Sequence, residues 1–146
     1  MTEPTITGGD GDGDESLAET FRAVASRLRR QTREALAPWA VTPSQSRALG
    51  VLARLGEARP GAIAEHLRIA PRSATEVIDD LQARGLVGRR PDPADRRATL
   101  VALTEEGHRV GTEIRAARRA AADRFFGHLD DADRAELTRI LRTLRS

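Results

Sequence analysis

Apolar residues recur every three or four positions at Leu17, Phe21, Val24 and Leu28, continued by Gln31 and Ala35, and this spacing predicts an amphipathic helix. Ser16 followed by Glu19 is a capping-box signature for its start, and Pro38 ends it. The same punctuation returns at Thr42, Pro43 and Gln45, which supply a hydroxyl N-cap, a proline at the first helical position and a glutamine at the third. Ala48, Leu49, Leu52 and Leu55 then form a second stripe, closed by Gly56. Pro60 opens a short third helix carrying Ile63 and Leu67. Pro71 opens a fourth, with Ala74, Val77, Ile78 and Leu81 on one face until Gly85. The tight connection at 68–70 between these two predicts a helix-turn-helix.

Past Gly85 the period changes. Residues 86–90 and 98–103 read as the two strands of a hairpin, separated by a seven-residue loop at 91–97 that holds Pro91 and Pro93. Thr104 is a cap for a long fifth helix with Val110, Ile114, Ala117, Ala121 and Phe125 along one side. Asp130 caps a sixth with Leu137, Ile140, Leu141 and Leu144. The expected fold is mainly α with a small β-hairpin wing: a winged helix-turn-helix with N- and C-terminal dimerisation helices. Residues 1–15 are expected to be a disordered acidic Gly/Asp-rich tail. Residues 16–146 form a single domain, in which 16–37 and 105–146 are the dimerisation helices and 42–103 the winged lobe. The terminal helices leave apolar faces outside the centre; a second copy of the chain covers them economically, and folding back on the same domain is the alternative.

Composition narrows the chemistry. The 146 residues include no cysteine, which excludes disulfides, thiolate metal sites and cysteine nucleophiles. No window approaches a membrane span and the N-terminus lacks a signal-peptide plan, so a cytoplasmic protein without membrane association is expected. The Asp-x-Asp-x-Asp spacing from Asp10 to Asp14 resembles a calcium loop, but Glu15 and Phe21 stand where Gly and Glu are required. His66, His108 and His128 are scattered without metal-ligand spacing, and Asp130, Asp131 and Asp133 are explained by a helix start. No metal, no cofactor and no enzymatic activity is therefore expected.

Charge points elsewhere. All 24 basic residues are arginine, and removing the five negative charges of the first 16 residues from the formal +2 leaves the remainder at +7. Such a chain attracts polyanions. On the fourth helix, Arg72, Ser73, Thr75, Glu76 and Asp79 fall opposite the apolar set, where arginine and hydroxyls at a helix N-terminus suit a major groove. Glu76, one turn past Arg72, either pairs with that arginine or accepts from a cytosine amino group. Arg89, Arg90, Arg96 and Arg97 crowd around the proline-stiffened loop, and a stiff arginine-bearing tip matches the narrow, negative minor groove.

Asp95, Arg97, Leu103 and Thr104 reproduce the pattern DxRxxxxxLT at full spacing, and with the flanking helix-turn-helix the chain resembles the MarR family of transcriptional regulators. The resemblance covers most of the chain after the tail. It implies a homodimer on a palindromic double-stranded DNA operator, with Pro71, Arg72, Ser73, Thr75 and Glu76 in the recognition helix. It makes Arg97 the wing-tip arginine, Asp95 its positioning partner and Arg96 a second wing contact, and it places Arg47 near the sugar-phosphate backbone. It implies a repressor with a small aromatic or anionic effector held near Phe21, Arg22, Trp39 and Ala40, although Trp39 between two helices also reads as core. The peroxide-sensing version of the family is excluded by the missing cysteine. Ala70, Glu76 and Arg59 depart from the residues that are frequent in the family at those positions. The alternative function is a winged-helix protein-interaction module without specific operator binding.

Overall fold

Side-chain caps start three of the helices in the computed structural model, which describes residues 10–146. Helix α1 spans Asp10–Leu36 and ends in a 3-10 turn at Ala37–Trp39; α2 spans Pro43–Leu55, β1 Glu57–Ala58, α3 Pro60–Leu67 and α4 Pro71–Ala83. Strands β2 (Val87–Asp92) and β3 (Asp95–Leu103) follow, then α5 (Glu105–Phe126) and α6 (Asp131–Arg145). Thr42 closes a full capping box with Gln45 at the start of α2, Thr104 accepts from the Gly107 amide at 3.0 Å, and Asp130 from the Asp133 amide at 2.8 Å. Helices α3 and α4 open on Pro60 and Pro71 without a side-chain cap.

Two boundaries differ from the sequence expectation. Helix α1 begins at Asp10, six residues before the Ser16 capping signature, so residues 10–15 are helical and not tail. A capping box is a preference; extending an existing helix costs little per residue, and acidic residues suit its positive N-terminal end. Residues 1–9 of the expected tail lie outside the described residues. The seven-residue wing loop contracts to a two-residue turn, Pro93 and Ala94, because β2 and β3 pair as far as Asp92 and Asp95, with a register shift at Pro91 and Asp92. Proline at a strand edge or bulge is tolerated, and the bulge absorbs it.

The sheet order is β1-β3-β2, all antiparallel. Strand β1 has only two residues, too short for any period to reveal it. Inward-facing Leu49, Leu52, Ile63, Leu67, Ile78, Leu81, Val101 and Ile114 make one core at the centre of the lobe. Ile114 belongs to α5, and Val110 and Ala121 on the same helix are buried too. The apolar face of α5 thus folds back on its own domain, the alternative left open above. Little of α1 and none of α6 joins it: among the described residues only Leu36 is buried on α1, nothing is buried on α6, and Leu17, Phe21, Val24, Ile140 and Leu144 stand exposed.

Candidate nucleic-acid interface

Burial of Ala74, Ile78 and Leu81 turns the opposite side of α4 outward, so Pro71, Arg72, Ser73, Thr75 and Glu76 are all exposed. Ala70 has the extended backbone of an N-cap but no side-chain acceptor. The Ala74 amide is the first to find an intrahelical acceptor, the Ala70 carbonyl at 3.1 Å. The Arg72 and Ser73 amides therefore point from the positive end of the helix dipole, a geometry that favours an anion. The Thr75 hydroxyl donates back to the Pro71 carbonyl at 3.1 Å, which leaves its lone pairs facing outward. No Arg72–Glu76 pair forms among the described residues. The acids further along α4 are engaged: Asp79 pairs with Arg89 at 2.6 Å, and Asp80 accepts from Gln45 Nε2 at 3.0 Å.

The wing arginines divide into two classes. Arg89 lies along α4, bonded to Asp79 and Gln82, and Arg90 pairs with Glu57 at 2.5 Å. Arg96 and Arg97 are exposed beyond the turn, with no ion-pair partner among the described residues. Asp95 Oδ1 accepts from the Arg97 backbone amide at 3.0 Å, so it positions the chain at the tip and not the guanidinium. Asp92 is buried: its Oδ1 accepts from the Ala94 amide at 2.9 Å, and its Oδ2 from Arg59 Nε at 2.9 Å and Nη2 at 2.6 Å. The Ala94 amide first, and then the Arg59 guanidinium, hold its carboxyl below the usual carboxylate range.

The remaining candidates sit elsewhere. Arg47 is exposed on α2 and lines two adjoining cavities of about 590 and 580 Å³, where α5 meets α2 and α3 and where α1 meets α2. The second has apolar walls from Leu28, Leu36 and Val41, with Arg29, Arg33 and Arg118 at its edge. Of the four expected ligand residues only Ala40 lines it. Trp39 is half-buried beside it, its Nε1 donating to Glu113 at 3.1 Å. Phe21 and Arg22 are exposed further along α1 and do not line this cavity, whose wall on α1 begins at Leu28, about 10 Å along the helix axis from Phe21 at about 1.5 Å per residue. The Ala40 and Trp39 carbonyls accept from Arg84, which ties the cavity lip to the end of α4.

Residues 41–98 match the family model for the MarR family. A transcriptional regulator of the HTH type from Mycobacterium bovis is 38% identical over 125 residues, covering 86% of this chain and 85% of the relative. The chain belongs to the MarR family. MdtR of Bacillus subtilis, an HTH-type transcriptional repressor, is 26% identical over 83% of this chain and 78% of its own. Among solved structures, YusO of B. subtilis superposes with a TM-score of 0.79 at 25% identity, covering 94% and 98% of the two chains. A mutant Escherichia coli MarR complexed with operator DNA gives 0.76 at 22% identity, covering 93% and 99%. BpsR of Bordetella bronchiseptica, whose DNA binding is described as regulated by 6-hydroxynicotinic acid, gives 0.74 at 24% identity over 99% of each chain.

This MarR family chain is thus a transcriptional regulator with a winged fold, and no helix among its described residues is long and apolar enough to cross a membrane. Sequence reasoning missed Glu57, Arg59 and Gln82, the three side chains that hold Arg90, Asp92 and Arg89. The signals were Arg59, a departure from the family pattern, and Asp92, which the proline-braced loop suits to accept from turn amides or neighbouring guanidinium groups; nothing local linked the two across 33 residues.

Proposed function

We propose that this regulator binds duplex DNA as a homodimer, each copy laying α4 in a major groove and setting its wing tip in the flanking minor groove. The observation that carries this reading is the division of the wing arginines: Arg89 and Arg90 are neutralised within the fold, while Arg96 and Arg97 project unpaired from a braced turn. Free guanidinium groups on a stiff hairpin are what a narrow groove attracts. Arg72, Ser73 and Thr75 read base edges and phosphates at the α4 N-terminus, and Glu76, unpaired with Arg72, is available to a cytosine amino group.

The exposed Leu17, Phe21 and Val24 of α1 and Ile140 and Leu144 of α6 form the dimer contact, and two-fold symmetry makes the operator palindromic. Occupying the operator excludes polymerase, so the protein acts as a repressor, in keeping with the name of MdtR. A small anionic, partly apolar effector fits the cavity of about 580 Å³ between α1 and α2, within the size range of ligand sites. Its binding there shifts Trp39 and Ala40, and through Arg84 the end of α4.

Selection of bound duplexes from a random pool, followed by salt-titrated affinity measurement, tests the reading. A palindromic preference and a steep loss of affinity with salt are expected. Arg97→Ala lowers operator affinity by about 1–3 kcal/mol. An unchanged affinity together with an unchanged salt slope refutes the minor-groove role.

A further inference from the structure

Residues 57–59 lay a charged brace across the outer face of the sheet. Glu57 and Ala58 pair with Ala102 and Val101 of β3, and β3 pairs on its other edge with β2. Side chains alternate, so Ala58 turns inward and is buried, while Glu57 and Arg59 share the outer side with Arg90 and Asp92 of β2. Glu57 shares its row with the small Ala102 and Gly88, which leaves it room to reach over β3 towards Arg90. Glu57 meets Arg90 and Arg59 meets Asp92: a negative–positive pair facing a positive–negative one.

The Arg59–Asp92 contact leads directly to the tip. Both nitrogens that Arg59 commits go to one oxygen of Asp92, and the other oxygen takes the Ala94 amide, the second residue of the turn. Asp95 then takes the Arg97 amide. Two hydrogen-bonded units, Arg59–Asp92–Ala94 and Asp95–Arg97, are joined by the Ala94–Asp95 peptide bond and so connect the start of α3 to the backbone that carries Arg97. We propose that Arg59, acting through Asp92, is a positioning residue that sets the reach of the wing and thereby the preference for A·T-rich flanks beside each half-site. This rests on the reading that the wing enters the minor groove.

The test uses the full chain and duplexes selected by it, with the flanks outside the half-sites made either A·T or G·C. Arg59→Ala is expected to lower affinity for the A·T-flanked duplex by about ten-fold, bring the ratio between the two flanks toward one, and leave the salt slope unchanged. Adding Arg97→Ala on top costs little, because a misplaced tip has little left to lose. Arg59→Lys, which keeps one point of contact with Asp92, restores part of the preference. Without DNA, amide hydrogen exchange at Ala94 and Arg97 speeds up in Arg59→Ala and in Asp92→Asn, and this second variant serves if the first does not fold.

Strictly additive losses from Arg59→Ala and Arg97→Ala overturn the proposal, as does exchange at Ala94 and Arg97 that stays at the parent rate. A salt slope smaller by about one with the flank ratio kept also overturns it, by marking Arg59 as a direct phosphate contact. Should Arg97→Ala itself leave binding unchanged while exchange at the tip responds to Arg59→Ala, the brace stands as structure and the minor-groove reading falls, taking the specificity role with it.

Discussion

Gly107 marks the place where α5 touches the base of the wing, and filling it separates the two. A Cβ at this position would lie 1.9 Å from the Leu86 carbonyl oxygen and 3.3 Å from Leu103 Cδ2. Carbon and carbonyl oxygen settle at about 3.3 Å or more, so Gly107→Ala moves α5 off the wing by more than about 1 Å. The same Leu86 oxygen accepts from the Thr104 amide at 3.1 Å, and the Thr104 hydroxyl bonds the Gly85 carbonyl at 2.6 Å. A displacement of that size breaks at least the first. Overpacking costs about 1–3 kcal/mol and each lost hydrogen bond about 1 kcal/mol. Better helix propensity returns about 1 kcal/mol, so the net loss is about 1–3 kcal/mol. Urea unfolding reads this as a lower midpoint at unchanged slope. Gly111 is the internal control: its Cβ would meet only the flexible end of Arg115 at 3.4 Å and Leu49 Cβ at 3.9 Å. Gly111→Ala should therefore be neutral or stabilise by up to about 1 kcal/mol. If Gly107→Ala lies within about 0.5 kcal/mol of the parent, the contact is not a constraint and the reasoning is wrong.

Other perturbations have equally definite outcomes. Ala70→Ser gives α4 the cap it lacks, at a position that already has extended backbone, and should raise stability by about 0.5–2 kcal/mol in the same unfolding assay; no gain means that the α4 amides are satisfied otherwise. Phe21→Asp puts a charge on the exposed apolar face of α1 and should shift sedimentation toward the monomer, and a dimer unaffected at micromolar concentration argues that this face is not the contact. Because the folded Asp92 carboxyl titrates below its ordinary range, its contribution to stability is complete above that range and vanishes as pH falls through the lowered value. An NMR titration of that carboxyl in the parent and in Arg59→Ala checks both the sign and the partner. The Ala94 amide, the larger cause, remains in the variant, so part of the depression should survive there.

Local signals carried most of the architecture. Caps at Thr42, Thr104 and Asp130, prolines at the starts of α3 and α4, and the switch of period after Gly85 each act within a few residues, so they are readable without a partner in view. The wing pattern from Asp95 to Thr104 is local for the same reason. Where the expectation failed, the deciding interaction was distant or cooperative. The strands outran the expected loop because pairing with a neighbour offsets the proline at 91. The face of α5 turned inward because Ile114 found Leu49 and its neighbours, and nothing in its own periodicity says which surface will cover it.

The succession of six helices and a hairpin, the caps that start α2, α5 and α6, and the surplus of arginine were determined by the chain read one turn at a time, because capping, backbone restriction and amphipathic spacing are short-range. Which of the four wing arginines are spent inside the fold and which project without an ion-pair partner among the described residues was decided only by the tertiary arrangement. Glu57, Asp79 and Asp92 meet Arg90, Arg89 and Arg59 across 10 to 33 residues of sequence. Coulombic pairing depends on separation in space, which the linear order does not contain until the sheet and helices have been packed.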